Sequence, residues 1–168
     1  MSEKGVIERA ERDKEEGKSP STQAGEFVRE EIEHVREGKH GARSPQQAIA
    51  IGLSKARRAG IMLPPPRRAS TSARTRKQAE RDMQKGRSSR RAPSRRRSRA
   101  VEKALRKEST RSASRSALSA QARRSARRRG SASRHAAARR AVHTKGKRGL
   151  RRAARKAART RRHHANRG

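Results

Sequence analysis

The sequence predicts a mostly α-helical and largely disordered protein, in which a short N-terminal helical hairpin precedes a long polycationic tail. The formal charge is +35 over 168 residues, 28% of the residues are hydrophobic, and Phe27 is the sole aromatic residue. Burying apolar surface contributes roughly 25 cal/mol per Å², whereas ordering each backbone residue costs about 1–2 kcal/mol. So few apolar side chains cannot offset that cost over the whole length, and this composition is typical of disorder.

The charge is distributed unevenly and divides the chain at three consecutive prolines, residues 64–66. Residues 1–66 contain 12 basic and 11 acidic residues, whereas residues 67–168 contain 38 basic and 4 acidic residues. Three prolines cannot continue a helix and favour an extended spacer. The sequence therefore predicts a weakly helical charged leader (1–18), a helical hairpin (19–63) and a disordered polycationic tail (64–168).

The predicted hairpin consists of two amphipathic helices. The first is expected over residues 22–37, where apolar residues recur at helical spacing and Gly38 provides a stop. The second begins after Ser44, which is a good N-cap and forms a capping box with Gln47, and it ends at Gly60. The connection is short enough for an αα-hairpin. Two helices of this size form a marginal unit.

The predicted tail is built mainly from Arg, Ala and Ser, with glycines that cut it into segments. Residues 100–107 pair an acid and a base at i,i+4, and from Leu150 onward alanines fall on one helical face. Ala and Arg are good helix formers, but neighbouring like charges oppose the helix. We expect latent helices that become stable when phosphates neutralise the charge.

Residues 39–41 read Lys-His-Gly, and residues 47–60 read QAIAIGLSKARRAG. This stretch resembles a family of small basic bacterial proteins of unknown function, which carry a KHG turn and a QAIAIALSEARRAG-type helix. The sequence departs from that pattern at Gly52 and Lys55. The resemblance implies a bacterial or phage source and neither a known catalytic activity nor an established ligand. The tail is similar in character to bacterial histone H1-like proteins, which are usually rich in Lys, Ala and Pro.

The tail carries one net positive charge per three residues, so it can lie along a duplex that presents one phosphate per about 1.7 Å. We expect it to bind nucleic acid without sequence specificity, and to coat or compact DNA in the cytoplasmic nucleoid. Duplex DNA is preferred over RNA because the tail lacks aromatic rings on which bases stack. The predicted phosphate contacts are Arg95, Arg96, Arg97, Arg99, Arg123, Arg124, Arg127, Arg128, Arg129, Arg139, Arg140, Arg151, Arg152, Arg155, Lys156, Arg159, Arg161 and Arg162.

Two other functions are compatible with the sequence. One is an RNA- or ribosome-associated basic protein. The other is a protein-interaction adaptor whose hairpin binds a partner or a second copy of the chain. The basic cluster Lys55, Arg57 and Arg58 at the end of the second helix is interpreted as compensation of the helix macrodipole rather than as a base-reading element.

No catalytic, cofactor-binding or metal-binding residues are predicted, and no small-molecule substrate is expected. The chain has no cysteine, and its histidines include no HExxH pattern. No stretch approaches the roughly 20 apolar residues that span a bilayer. Residues 146–149 match the GXXG loop of KH domains, but that loop needs a packed α/β body. We therefore expect the protein not to be an enzyme.

Overall fold

The computed structural model describes residues 3–68, 71–88 and 94–165. The described residues form two compact units, residues 1–121 (the body) and residues 122–168 (the arm). Their helices are α1 (Glu3–Glu15), α2 (Pro20–Arg36), α3 (Pro45–Arg58), α4 (Ala73–Arg87), α5 (Arg95–Arg106), a 3₁₀ helix (Thr110–Ala113), α6 (Arg115–Arg128) and α7 (Gly130–Ala165).

The prediction of a largely disordered protein with a long low-complexity tail is wrong, because helices account for 80% of the chain. The prediction of disorder assumed that only buried apolar area could offset the entropic cost of ordering the backbone. An α-helix satisfies its backbone hydrogen bonds locally, and Ala and Arg are among the strongest helix formers. Serines then mark the helix starts, since Ser72 Oγ accepts from Thr75 N at 3.2 Å and Ser114 Oγ accepts from Ala117 N at 3.2 Å.

Helices α2 and α3 pack against each other and form the centre of the body. Ser44 caps α3 as the sequence predicts, because its Oγ accepts from Gln47 N at 3.2 Å. Phe27 is 4% exposed and lies in an apolar cluster to which α1 contributes a second buried side chain, Val6. The charged leader is therefore a packed helix of the body.

Gly52 allows α2 and α3 to approach closely. A Cβ at this position would lie 2.7 Å from Val28 Cα and 3.0 Å from Phe27 O, both of which are backbone atoms of α2. Backbone atoms cannot move aside as a flexible side chain can. Glycine at position 52 therefore matches a requirement of this packing.

Segments beyond the three prolines complete the body. Ala113 of the 3₁₀ helix is buried with Val35, Ala42 and Ala48 in a second apolar cluster. On α4, Asp82 is 2% exposed, and one of its carboxylate oxygens accepts from Ser54 Oγ of α3 at 2.6 Å. Since these residues lie in the predicted tail, the charge boundary at 64–66 does not mark the end of the packed core.

The connection between α2 and α3 is fixed to the end of α5. Gly41 N donates to Leu105 O at 2.9 Å, and Ala42 N donates to Ser109 O at 3.1 Å. A Cβ at Gly41 would collide with the carbonyl group of Glu108. The glycine of the Lys-His-Gly sequence therefore allows the connection to reach this backbone.

The arm consists of the end of α6 and the helix α7. Within α7, Gly146 has φ 60° and ψ 176°, which interrupts the helix and separates two helical stretches. A residue with positive φ is strained unless it is glycine. The latent helix predicted from Leu150 onward is thus the second stretch of α7.

Candidate nucleic-acid interface

The eighteen predicted phosphate-binding side chains are all exposed to solvent. The structure divides them between the two units rather than gathering them into one pocket. Four lie on α5 of the body, and fourteen belong to the arm. Their exposure is compatible with contacts to an extended polyanion.

The second stretch of α7 concentrates these cations on one side. With 3.6 residues per turn, basic residues at 151, 152, 155, 156, 159 and 162 fall within one half of the helical circumference. The opposite half carries the alanines at 153, 154, 157 and 158, and Arg161 lies outside the basic half. This stretch is therefore a cationic helix whose charges share one face.

The arm contains no carboxylate side chain that could compete with a bound polyanion. The sequence has 19 Lys and Arg residues and no Asp or Glu from residue 122 onward. All 15 acidic residues belong to the body, where several pair with its own cations. Arg9 Nε, for example, donates to Glu26 Oε2 at 2.9 Å across α1 and α2. Every Lys, Arg, Asp or Glu side chain of the arm is therefore a cation.

The side chains of the basic cluster at the end of α3 (Lys55, Arg57 and Arg58) bond to other groups of the body. Lys55 Nζ lies 2.6 Å from Glu31 Oε2, and Arg58 Nη2 donates to Ser54 Oγ at 2.7 Å. Arg57 is buried and donates through Nε to Leu63 O at 3.2 Å, which ties down the proline-rich segment. Burial lowers the pKa of Arg57, with the nearby Asp82 acting in the opposite direction. These contacts favour a structural role for the cluster over base reading.

Two further features bear on the type of nucleic acid. Phe27, the sole aromatic residue, is a core residue and does not offer a surface for base stacking. The GXXG sequence at 146–149 lies at the bend of α7, and the described residues include no β-strand beside it. A KH-type clamp therefore does not form here.

The structure also gathers a carboxylate and two imidazoles that the sequence analysis did not connect. Glu31 and His34 lie one turn apart on α2, and His40 lies in the α2–α3 connection. One potential ligand atom from each lies within 4.8 Å of the others. The i,i+3 spacing of Glu31 and His34 on a helix was enough to predict that these two side chains are neighbours. The position of His40 depends on the path of the α2–α3 connection, which the spacing of residues in the sequence does not predict.

This Glu-His-His cluster, Glu31, His34 and His40, is largely shielded from water. The Glu31 side chain is 0% exposed, and those of His34 and His40 are 19% and 14% exposed. Burial lowers the pKa of His34, and the charges of Lys39 and Lys55 act in the same direction. Lys55 of α3 places a cation against the buried Glu31 carboxylate.

Residues 13–67 match the profile of a family of unknown function (DUF6496). The match covers 55 of the 168 residues, so the similarity concerns the end of α1, helices α2 and α3, and the proline segment. No curated protein and no solved structure matches the chain. The expected similarity to an uncharacterised family is thus confirmed, whereas the specific Lys-His-Gly and QAIAIALSEARRAG-type core and the likeness of the arm to histone H1-like proteins stay predictions.

Among the described residues, none of the helices is both long enough and apolar enough to cross a membrane.

Proposed function

We propose that the protein binds nucleic acid, and duplex DNA in preference to RNA, through phosphate contacts of the cationic helices of the arm. The observation that carries this proposal is the basic face of the second stretch of α7, within a unit that contains 19 Lys and Arg residues and no acid. Each phosphate that a cation neutralises releases condensed counterion, which makes such association favourable and sensitive to salt.

A helical arm favours the proposed binding more strongly than a disordered tail would. Because the cations of α7 are already on one face, less conformational entropy is lost on binding than if the segment ordered at that moment. Arginine predominates among the predicted contacts, and its guanidinium group can bind phosphate through two parallel hydrogen bonds.

Among the described residues, we find no structural element that is arranged to recognise a base sequence. The α3 cations form contacts within the body, and between residues 122 and 165 the cations of the arm are repeated without polar amides that would read base edges. We therefore infer non-specific binding that coats or compacts DNA, in the manner expected of a nucleoid protein.

The proposal is tested by competition. A fluorescently labelled 30-base-pair DNA duplex bound to the full chain is displaced with unlabelled duplex DNA or with structured RNA of equal phosphate number, at one fixed NaCl concentration. We expect a lower midpoint for the DNA competitor. A lower midpoint for the RNA would instead favour the RNA-associated alternative, and failure of both polyanions to compete would refute binding through phosphates.

A further inference from the structure

We propose that Glu31, His34 and His40 form a binding site for a divalent transition-metal ion, with Zn²⁺ as the best fit to the ligand set. Two imidazole nitrogens and one carboxylate oxygen are a common set of three zinc ligands, with a fourth position left for water. The site lies in the body and is independent of the proposed contacts between the arm and nucleic acid.

One carboxylate oxygen of Glu31 has no hydrogen-bond partner among the described residues. Its Oε1 is buried and accepts no hydrogen bond, although His40 Nε2 lies only 3.2 Å away. A buried carboxylate oxygen without a partner is costly. Two ligands at 2.0–2.2 Å from one tetrahedral ion are about 3.3 Å apart, so the observed separation suits an ion shared between them.

The ring of His40 is oriented by a backbone carbonyl group. Its Nδ1 lies 3.1 Å from the carbonyl oxygen of Gly41, and a carbonyl oxygen can only accept a hydrogen bond. Nδ1 therefore donates to this carbonyl, and Nε2 is the ring nitrogen that faces Glu31 Oε1. A cation between Nε2 and Oε1, either a proton or a metal ion, satisfies both atoms. A backbone carbonyl on the other ring nitrogen is also how ligating histidines are usually oriented.

Charged side chains surround the Glu-His-His cluster. Lys55 Nζ lies 2.6 Å from Glu31 Oε2, which leaves Oε1 available to a second cation. Glu30 Oε1 is buried, also lacks a hydrogen-bond partner among the described residues, and lies 3.5 Å from His34 Nε2. Glu30 and Glu31 are both buried beside the two imidazoles, and Lys39 and Lys55 are the nearby lysines. The Oε1 atoms of the two carboxylates remain without a hydrogen-bond donor and are available to a further cation.

The bound ion would join α2 to the α2–α3 connection. The next residues of that connection, Gly41 and Ala42, donate backbone hydrogen bonds to Leu105 and Ser109. Metal binding at His40 is therefore expected to stabilise the packing of the segment after α5 as well as the hairpin. This gives a structural function to the Lys-His-Gly sequence.

The test uses the full chain without an affinity tag, stripped with a chelator and dialysed into a buffer that does not bind metals. Calorimetric titration with ZnCl₂ should show one equivalent bound tightly. Zinc at about 100-fold excess over Kd should raise Tm by roughly 5–10 °C. Glu31→Gln and His40→Gln should weaken binding at least 10-fold. The matched control is His135→Gln, which removes an exposed histidine of the arm and should leave the site intact.

Stripped variants are first compared by circular dichroism, and Co²⁺ is used as a second probe of the unaltered chain. Tetrahedral Co²⁺ absorbs strongly in the visible region, so the Co²⁺-loaded protein should show these bands and zinc should abolish them. The proposal is overturned if zinc leaves Tm unchanged and no equivalent is bound, which is the result expected of a cluster that holds only a proton. It is also overturned if His135→Gln rather than His40→Gln removes the binding.

Discussion

Neutralising the basic face of α7 is the perturbation that most directly probes the proposed interface. The variant replaces Arg151, Arg152, Arg155, Lys156 and Arg159 with Gln, which retains helix propensity and removes five charges. These residues span about 12 Å of helix, a length over which duplex DNA presents about seven phosphates. Each cation can therefore meet a separate phosphate, and the slope of log K against log [NaCl] should become shallower by about 4.5.

A slope that is shallower by about 4.5 corresponds to a loss of DNA affinity of up to about 10⁴-fold at 0.1 M NaCl, if the non-electrostatic contacts are unchanged. Fluorescence anisotropy with a labelled 30-base-pair duplex measures both quantities between 50 and 400 mM NaCl. The charge-matched control replaces five exposed cations of α1 and α4 with Gln, namely Lys4, Arg12, Lys14, Lys77 and Lys85. We expect its slope to change by less than half as much. Equal slopes for the two variants would refute a specific role for the α7 face.

Three further predictions concern the body. Gly52→Ala should lower the free energy of unfolding by roughly 1–3 kcal/mol in urea denaturation, because its Cβ would overpack against Val28. Asp82→Ala should cost about 1–3 kcal/mol by the same assay, since it leaves Ser54 without its buried acceptor. In metal-free protein, Tm should fall as the pH drops below about 6.5, because burial lowers the pKa of His34 and its protonated form is disfavoured in the folded state.

Each of these predictions has a control within the chain. Gly25→Ala introduces the same methyl group into open space on α2, so it should leave stability unchanged or raise it by about 0.5–1 kcal/mol. Glu80→Ala removes an exposed carboxylate of α4 and should change stability by less than about 0.5 kcal/mol. A loss at Gly25 equal to that at Gly52 would contradict the close-approach argument.

The pH prediction depends on the sign of the His34 shift. Stability from keeping this ring neutral is fully present above its unfolded pKa and is lost as the pH falls through the lowered folded pKa. The charged groups around it are Glu30, Glu31, Lys39 and Lys55. His34→Gln should flatten the Tm profile between pH 5 and pH 7, and an unchanged profile would assign the pH dependence to other groups.

Part of the fold was predictable from local signals. Apolar spacing over α2, the Ser44 cap of α3 and the stop at Gly38 are properties of short segments, and the structure shows helices at both places. The body beyond residue 66 was missed because its contacts are single residues in basic sequence. Ala113 and Asp82 carry little hydrophobic signal, yet each fills a position that the α2–α3 pair leaves open.

The two candidate sites also differ in how far they could be predicted from the sequence. The cationic face of α7 follows directly from the order of Arg and Ala at helical spacing, so its residues could be named from the sequence. The cluster of Glu31, His34 and His40 requires the path of the α2–α3 connection. That path is set by the contacts of Gly41 with Leu105 and Glu108, far away in sequence.

The proposed binding depends on electrostatic release of counterions from DNA, and the salt dependence of the unaltered chain measures this release directly. With about ten cations of the arm in contact with phosphates, log K for a DNA duplex should fall against log [NaCl] with a slope near −9. A slope close to zero over 50–400 mM NaCl would show that the cations do not make the contacts proposed here.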